Sequence, residues 1–194
     1  PEFNLDPLRS FYVSEEVVRN ILCNLSPHKA CGPDDISARV IRECALELSV
    51  PITKLCQLSL DQGVFPESWK RANIVPIHKK GSKSAAGNYR SVSLLPLFGK
   101  VLERVVYNAL FSHVRPVISE HQHGFMPGRS CSTNLCTMLH TAWANISAGS
   151  QTDVIYTDYS SAFQSVDHKL LLHKLKISYC ISDKALDWIS SYLS

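Results

Sequence analysis

Val154-Ile155-Tyr156-Thr157-Asp158-Tyr159-Ser160-Ser161-Ala162-Phe163 is the stretch on which the reading of this chain turns. Its apolar opening, Asp153 to Tyr156, predicts a buried strand running into Thr157 and Asp158. The strand thus delivers one carboxylate at its end, and small polar residues begin a turn directly behind it. A carboxylate so placed has two uses. It can cap a following helix, or it can hold a hard cation while the backbone N–H groups of the turn face an anion.

Working back from that strand, Cys131 to Ile146 predicts a helix, and Gly124-Phe125-Met126-Pro127-Gly128-Arg129 a loop. The loop's glycines permit close backbone approach to a ligand, although such loops also occur as plain turns. Lys100 to Val114 reads as an amphipathic helix with Val101, Leu102, Val105, Val106, Ala109 and Leu110 inward. Ala72 to His78 is a short β-branched run whose proline suggests an edge strand. A polar loop, Lys79 to Asn88, returns it into Tyr89 to Leu95, giving a hairpin with a basic tip. Lys79-Lys80 and Arg90 stand on opposite arms, where they can converge on a triphosphate or remain two ordinary exposed cations.

The first third predicts helices. Val17, Ile21, Leu22 and Leu25 fall on one face behind Ser14, an N-cap with Glu15 and Glu16 in the first turn. Lys29-Ala30-Cys31-Gly32-Pro33-Asp34-Asp35 is a loop, Ile36 to Leu48 a second helix, and Pro51 to Gln62 a third that starts on proline and stops before Gly63. Beyond the central stretch, His168 to Ser194 is helical with a break near Ser182. The division this suggests is a helical part over 1–64, a basic hairpin with helices over 65–150, and a last part over 151–194.

Composition narrows the function classes. At 194 residues, 45% hydrophobic and 19% charged, the chain is globular rather than disordered or collagen-like. The longest uncharged stretch, Ser130 to Thr152, is too polar to span a membrane. The 7 cysteines are odd in number and form no CxxC pair, which predicts reduced thiols in a cytoplasmic or nuclear setting. His121 and His123 lack a third ligand at a usual metal spacing. Gly81-Ser82-Lys83-Ser84 is too short for a phosphate-binding P-loop. The net charge of +3 divides unevenly: 6 basic and 9 acidic side chains over 1–64, 10 and 3 over 65–135, and 4 and 5 over 136–194. The middle third therefore carries +7, which favours a phosphate-bearing partner or forms a solvated basic face. The chain opens Pro1-Glu2-Phe3 without a start Met and reads as a piece of something longer.

Six signatures follow one another in a single order. They are Ala30-Cys31-Gly32-Pro33-Asp34, Phe65-Pro66-Glu67-Ser68-Trp69-Lys70, Ile74-Val75-Pro76-Ile77-His78-Lys79-Lys80-Gly81, Asn88-Tyr89-Arg90-Ser91-Val92-Ser93-Leu94-Leu95, Gly124-Phe125-Met126-Pro127-Gly128-Arg129-Ser130 and Asp158-Tyr159-Ser160-Ser161-Ala162-Phe163. In this order they resemble the reverse transcriptase of non-LTR retrotransposons of the LINE or jockey-like kind, almost end to end. The resemblance implies an α+β right-hand polymerase, here its fingers and the beginning of its palm, that copies RNA into DNA from dNTPs.

The resemblance also implies roles. Asp158 matches the first palm aspartate, which holds both catalytic Mg²⁺ ions about 4 Å apart, with the Tyr159 carbonyl as a further ligand. Lys79 and Arg90 match the fingers residues that clamp the triphosphate, and Ser160, Ser161 and Ala162 lie along the bound nucleotide. Phe163 matches the steric gate that leaves no room for a 2′-hydroxyl. Lys80, Lys83, Gly128 and Arg129 would face the RNA template or DNA primer, and no membrane is implied. The family usually reads Tyr-Arg-Pro-Ile-Ser where this chain has Ser91 and Val92, and Ala-Phe-Asp where it has Gln164. The later palm aspartates, the thumb and any endonuclease lie outside this sequence, and one carboxylate cannot hold two ions, so the chain alone is expected not to polymerise. The alternative implied is a decayed or non-catalytic nucleic-acid-binding remnant.

Overall fold

The computed structural model describes residues 3–159 and 162–194. Helices α1 (Glu15–Cys23), α2 (Ala38–Glu43), α3 (Ala45–Gln62) and α4 (Glu67–Lys70) precede strands β1 (Asn73–His78) and β2 (Tyr89–Leu94). Helices α5 (Leu97–Val114), α6 (Cys131–Ser147), α7 (His168–Ser178) and α8 (Asp183–Leu193) follow. The fold is therefore α+β and helix-rich with a small antiparallel sheet, as the sequence predicts. Among the described residues no helix is long and apolar enough to cross a membrane. The chain divides into two compact units, Pro1–His113 with His168–Ser194, and Val114–Asp167.

The first unit holds the core. Ser14 caps α1 by accepting from the Val17 N–H, and Val18 and Leu22 are buried one turn apart. Val17, expected inward, is 38% exposed, because the buried stripe runs through 18, 22 and 25 instead. α3 buries Ala45, Ser49, Ile52, Cys56 and Leu60 along one face. The expected helix over 36–48 is broken at Cys44 into α2 and α3, and α3 does not start at Pro51 but carries it inside. An interior proline costs about 3 kcal/mol. The buried stripe, continuous from Ala45 to Leu60, offsets that cost by packing both halves of the helix into one core. Gly63 ends α3 in the left-handed region, as expected.

The outer segments of the sequence close this core. Leu8 donates its N–H to the Cys180 carbonyl at 2.9 Å and accepts from Ser182 at 3.0 Å, pairing with Ile181 in a parallel bridge. On α8, Trp188 is buried against Phe65 at 5.5 Å and stacks on Tyr192 at 5.6 Å, and its indole N–H donates to the Ser59 hydroxyl at 3.0 Å. Tyr192 also donates to a carboxylate oxygen of Glu103 on α5 at 3.2 Å. Burial pushes the Glu103 carboxyl up, against the lowering effects of that hydrogen bond and of Lys100. Burial together with the Glu103 charge pushes the Tyr192 phenol up to about 12. The Cys56 thiol, pushed by burial to about 12, is an inert piece of packing.

In the second unit, Ser130 and Thr133 form a reciprocal capping box at the start of α6, which starts at Cys131 as expected and runs one residue past the expected Ile146. The predicted buried strand is absent: Asp153 to Tyr156 forms no strand, and Ile155 and Tyr156 are 87% and 80% exposed. A strand exists only where a neighbour takes up its hydrogen bonds. Among the described residues the only paired strands are β1 and β2, so this apolar run has no ladder to join.

Gly32 ties the hairpin to the helices. A Cβ there would lie 2.5 Å from the Pro96 nitrogen and 2.6 Å from the Leu95 carbonyl carbon, both backbone atoms that cannot swing aside. Gly32→Ala is expected to lower stability by about 2–3 kcal/mol through overpacking. Gly87→Ala, where nothing stands within 4 Å, should stay within about 0.5 kcal/mol of the parent. Denaturant titration of both variants checks the pair.

Candidate functional site

The hairpin is built by register. Asn73 pairs with Leu94, Val75 with Val92, Ile77 with Arg90 and His78 with Tyr89. The Lys79 N–H continues the ladder by donating to the Asn88 carbonyl at 2.7 Å. Directly opposed residues share a face and successive residues alternate, so Lys79, Ile77 and Arg90 lie on the same face. The two arms of the hairpin thus carry Lys79 and Arg90 on a common face. His78 and Tyr89 meet on the opposite face with ring centroids 5.3 Å apart.

The tip between the strands is tied down by its own side chains. His78 Nε2 lies 3.0 Å from the Gly81 carbonyl, Asn88 Nδ2 donates to the Ser82 carbonyl at 2.8 Å, and Tyr89 Oη donates to the Lys83 carbonyl at 2.9 Å. These bonds hold Lys79, Lys80 and Lys83 along one short loop, all exposed. Among the described residues no carboxylate comes within salt-bridge reach of Lys79, Lys80, Lys83 or Arg90. Cations that no described carboxylate neutralises leave their charge for an external anion.

The second unit carries the remaining residues. Asp158 and Tyr159 are exposed, and Phe163 is 78% exposed in the turn ahead of α7. Ser160 and Ser161 lie outside the described residues. Asp158 and the Tyr159 carbonyl are oxygen donors of the kind Mg²⁺ takes. Among the described residues, however, no three His, Cys, Asp or Glu side chains gather into a metal-holding group.

The loop ahead of α6 is more constrained than its sequence suggests. Gly128 has φ +74, which glycine adopts freely, but Phe125 has φ +61, a region that costs a bulky L-residue about 1–3 kcal/mol. Arg129 turns its Nη1 inward, donating to the carbonyls of Glu120 and of Gln122, the latter at 2.9 Å. His123 Nδ1 lies 2.9 Å from the Thr133 hydroxyl, joining the loop to the capping box of α6. Phe125 reaches Phe163, with centroids 6.2 Å apart and rings at 82°. Sequence reasoning missed Phe125, because no local spacing connects positions 38 residues apart.

This combination of a cationic hairpin, a Gly-Phe loop and an exposed carboxylate ahead of an aromatic residue coincides with a family match. Residues 77–194 match the model described as reverse transcriptase (RNA-dependent DNA polymerase), and the chain belongs to that family. Its relatives are of the jockey-like, non-LTR kind. It is 32% identical over 167 residues to the RNA-directed DNA polymerase from mobile element jockey of Drosophila melanogaster, covering 84% of this chain and 18% of that protein. The jockey polymerase of Drosophila funebris is 29% identical over the same share. The probable RNA-directed DNA polymerase from transposon X-element of Drosophila melanogaster is 27% identical over 192 residues, covering 97% of this chain and 20% of the relative. The chain thus spans about a fifth of the length of these relatives.

The Arg129 bonds predict a local effect. Arg129→Ala should speed amide hydrogen exchange at Gln122 and Met126 by about tenfold, the loss of one to two hydrogen bonds. The hairpin amides should not change. Exchange followed by mass spectrometry distinguishes this from an Arg129 that leaves its loop untouched.

Proposed function

We propose that this chain forms the fingers and first palm segment of an RNA-directed DNA polymerase of a transposable element, which copies an RNA template from a DNA primer using dNTPs. The observation that carries the reading is the family match over residues 77–194, which takes in the hairpin tip with β2, the Gly-Phe loop and Asp158 together. Lys79 and Arg90 bind the incoming triphosphate and screen the charge that develops as phosphate is transferred. The shared face of Ile77, Lys79 and Arg90 supports that role. Lys80, Lys83, Gly128 and Arg129 follow the template or primer backbone, Arg129 through the guanidinium donors that its bonds to the Glu120 and Gln122 carbonyls leave over. Phe163 bars the 2′-hydroxyl of a ribonucleotide, and Ser160, Ser161 and Ala162, which precede it in sequence, bind the nucleotide with it.

Asp158 and the Tyr159 carbonyl are the residues that would hold Mg²⁺. When bound, the ions supply Lewis-acid stabilisation of the transferring phosphoryl group and a more acidic primer 3′-hydroxyl. A two-ion centre needs more carboxylates than Asp158 alone supplies. A second reading, a non-catalytic RNA-binding remnant, is favoured by Ser91 and Gln164 at positions where the family usually has proline and aspartate. A polymerase carrying this chain that binds RNA but extends no primer would select it.

Charge reversal tests the hairpin. Lys79→Glu, Lys80→Glu and Lys83→Glu together should weaken RNA binding alike for all sequences. They should also flatten the slope of log affinity against log salt by about two, as two to three phosphate contacts are lost. An unchanged slope means that the basic stretch is a solvated face.

Asp158→Asn tests the chemistry, since Asn caps about as well as Asp but carries no charge. In a polymerase that carries this chain, primer extension should fall at least about a thousandfold, roughly 4 kcal/mol of activation free energy. Because Asp158 is exposed, the melting temperature should barely move. Near-normal extension by the Asn variant removes Asp158 from the catalytic set.

A further inference from the structure

We propose that Phe125 is a positioning residue for the Phe163 ring, fixing its tilt so that it excludes a ribose 2′-hydroxyl. The inference rests on the reading of Phe163 as the sugar gate and names the group on which that gate leans. Two features of Phe125 require an account. It is 87% exposed, and its backbone is held at φ +61, where a bulky side chain is an outlier. A ring so exposed gains little from burial, so the contact it makes is what the strained backbone secures. That contact is Phe163, met at 82° with 6.2 Å between centroids, inside the range of an edge-to-face pair.

The support beneath Phe125 is fixed. The Met126 N–H donates to the His123 carbonyl, Gln122 Nε2 donates to the Gly124 carbonyl at 2.9 Å, and Arg129 holds the Glu120 and Gln122 carbonyls. His123 is bonded to Thr133 in the capping box of α6, so the loop is anchored to a regular element. Phe163 itself is 78% exposed and lies in a turn. A ring in that position discriminates sterically only if something holds it, because excluding one oxygen atom requires placement to within a fraction of an ångström. Phe125 supplies the hold from outside the turn.

The test compares dNTP with rNTP incorporation in a polymerase that carries this chain. Phe125→Ala should relax sugar discrimination by on the order of fivefold, the scale of one aromatic pair. Its kcat/KM for dNTP should fall by less than that. Phe125→Tyr, which keeps the ring, should restore discrimination, and Phe163→Ala should relax it further still. If Phe163→Ala relaxes discrimination and Phe125→Ala does not, the positioning role falls while the gate stands. If Phe163→Ala itself changes nothing, the gate reading falls. Equal loss for both sugars in Phe125→Ala marks a merely structural residue and overturns the proposal. A second measurement needs no activity: with fluorophenylalanine label in the 194-residue chain, the ¹⁹F resonance of Phe163 should shift in Phe125→Leu. A resonance that stays in place shows that the rings do not hold one another.

Discussion

A buried indole N–H that leaves water must find an acceptor, and the first unit is arranged so that Trp188 finds one at Ser59, 129 residues away in sequence. Ser59 is not free to move, because its hydroxyl also donates to the Val64 carbonyl, just past the left-handed Gly63 that ends α3. The end of α3 and the socket for Trp188 are therefore one assembly. Phe65, next in the chain, meets Trp188 edge-to-face and donates its N–H to the Ser191 hydroxyl at 3.0 Å. From there the chain passes through α4 into β1, so the entry to the hairpin is set by a contact made on α8. Behind the hairpin, the backbone of Gly32 lies so close to Leu95 and Pro96 that no side chain fits between them. The basic tip thus projects from a base held at both ends.

How much of this was legible in the sequence depends on the range of the interaction. Features set by neighbours within one turn were readable: Ser14 as a cap, Gly63 as a stop, the buried face of α5, and the turn between α7 and α8. Pro51 misled because a local rule, that proline begins helices, lost to a buried stripe spanning the whole of α3. The run from Asp153 to Tyr156 misled for the converse reason. Its β-branched and aromatic residues suit a strand, but strand formation is decided by a partner that lies elsewhere.

The candidate site divides in the same way. Its residue types and their order were legible, and the resemblance they carry is what the family match shows. The hairpin was legible, and its register, with Ile77 opposite Arg90, puts Lys79 and Arg90 on one face. The inward turn of Arg129 toward two carbonyls was not legible, since an arginine beside a glycine reads equally well as a phosphate contact. The Phe125–Phe163 pair was hidden by sequence distance and by an unusual backbone angle that residue identity does not announce.

Pro76 has a consequence for solubility. Among the described residues the hairpin is a two-stranded sheet with no further strand on either edge, and Ile74, Val75 and Ile77 are exposed along β1. Such an edge is a template on which another chain can add a strand. Because the Lys79–Asn88 pair is hydrogen-bonded, alternation makes Pro76 and Ser91 a non-bonded pair, and the backbone of residue 76 faces outward rather than toward β2. The missing N–H therefore costs the hairpin nothing. It leaves a gap in the middle of the row of donors that an invading strand would need, while Lys79, Lys80 and Lys83 repel a second copy arriving at the tip. The proline that marks this run as an edge also keeps the edge from propagating into aggregates.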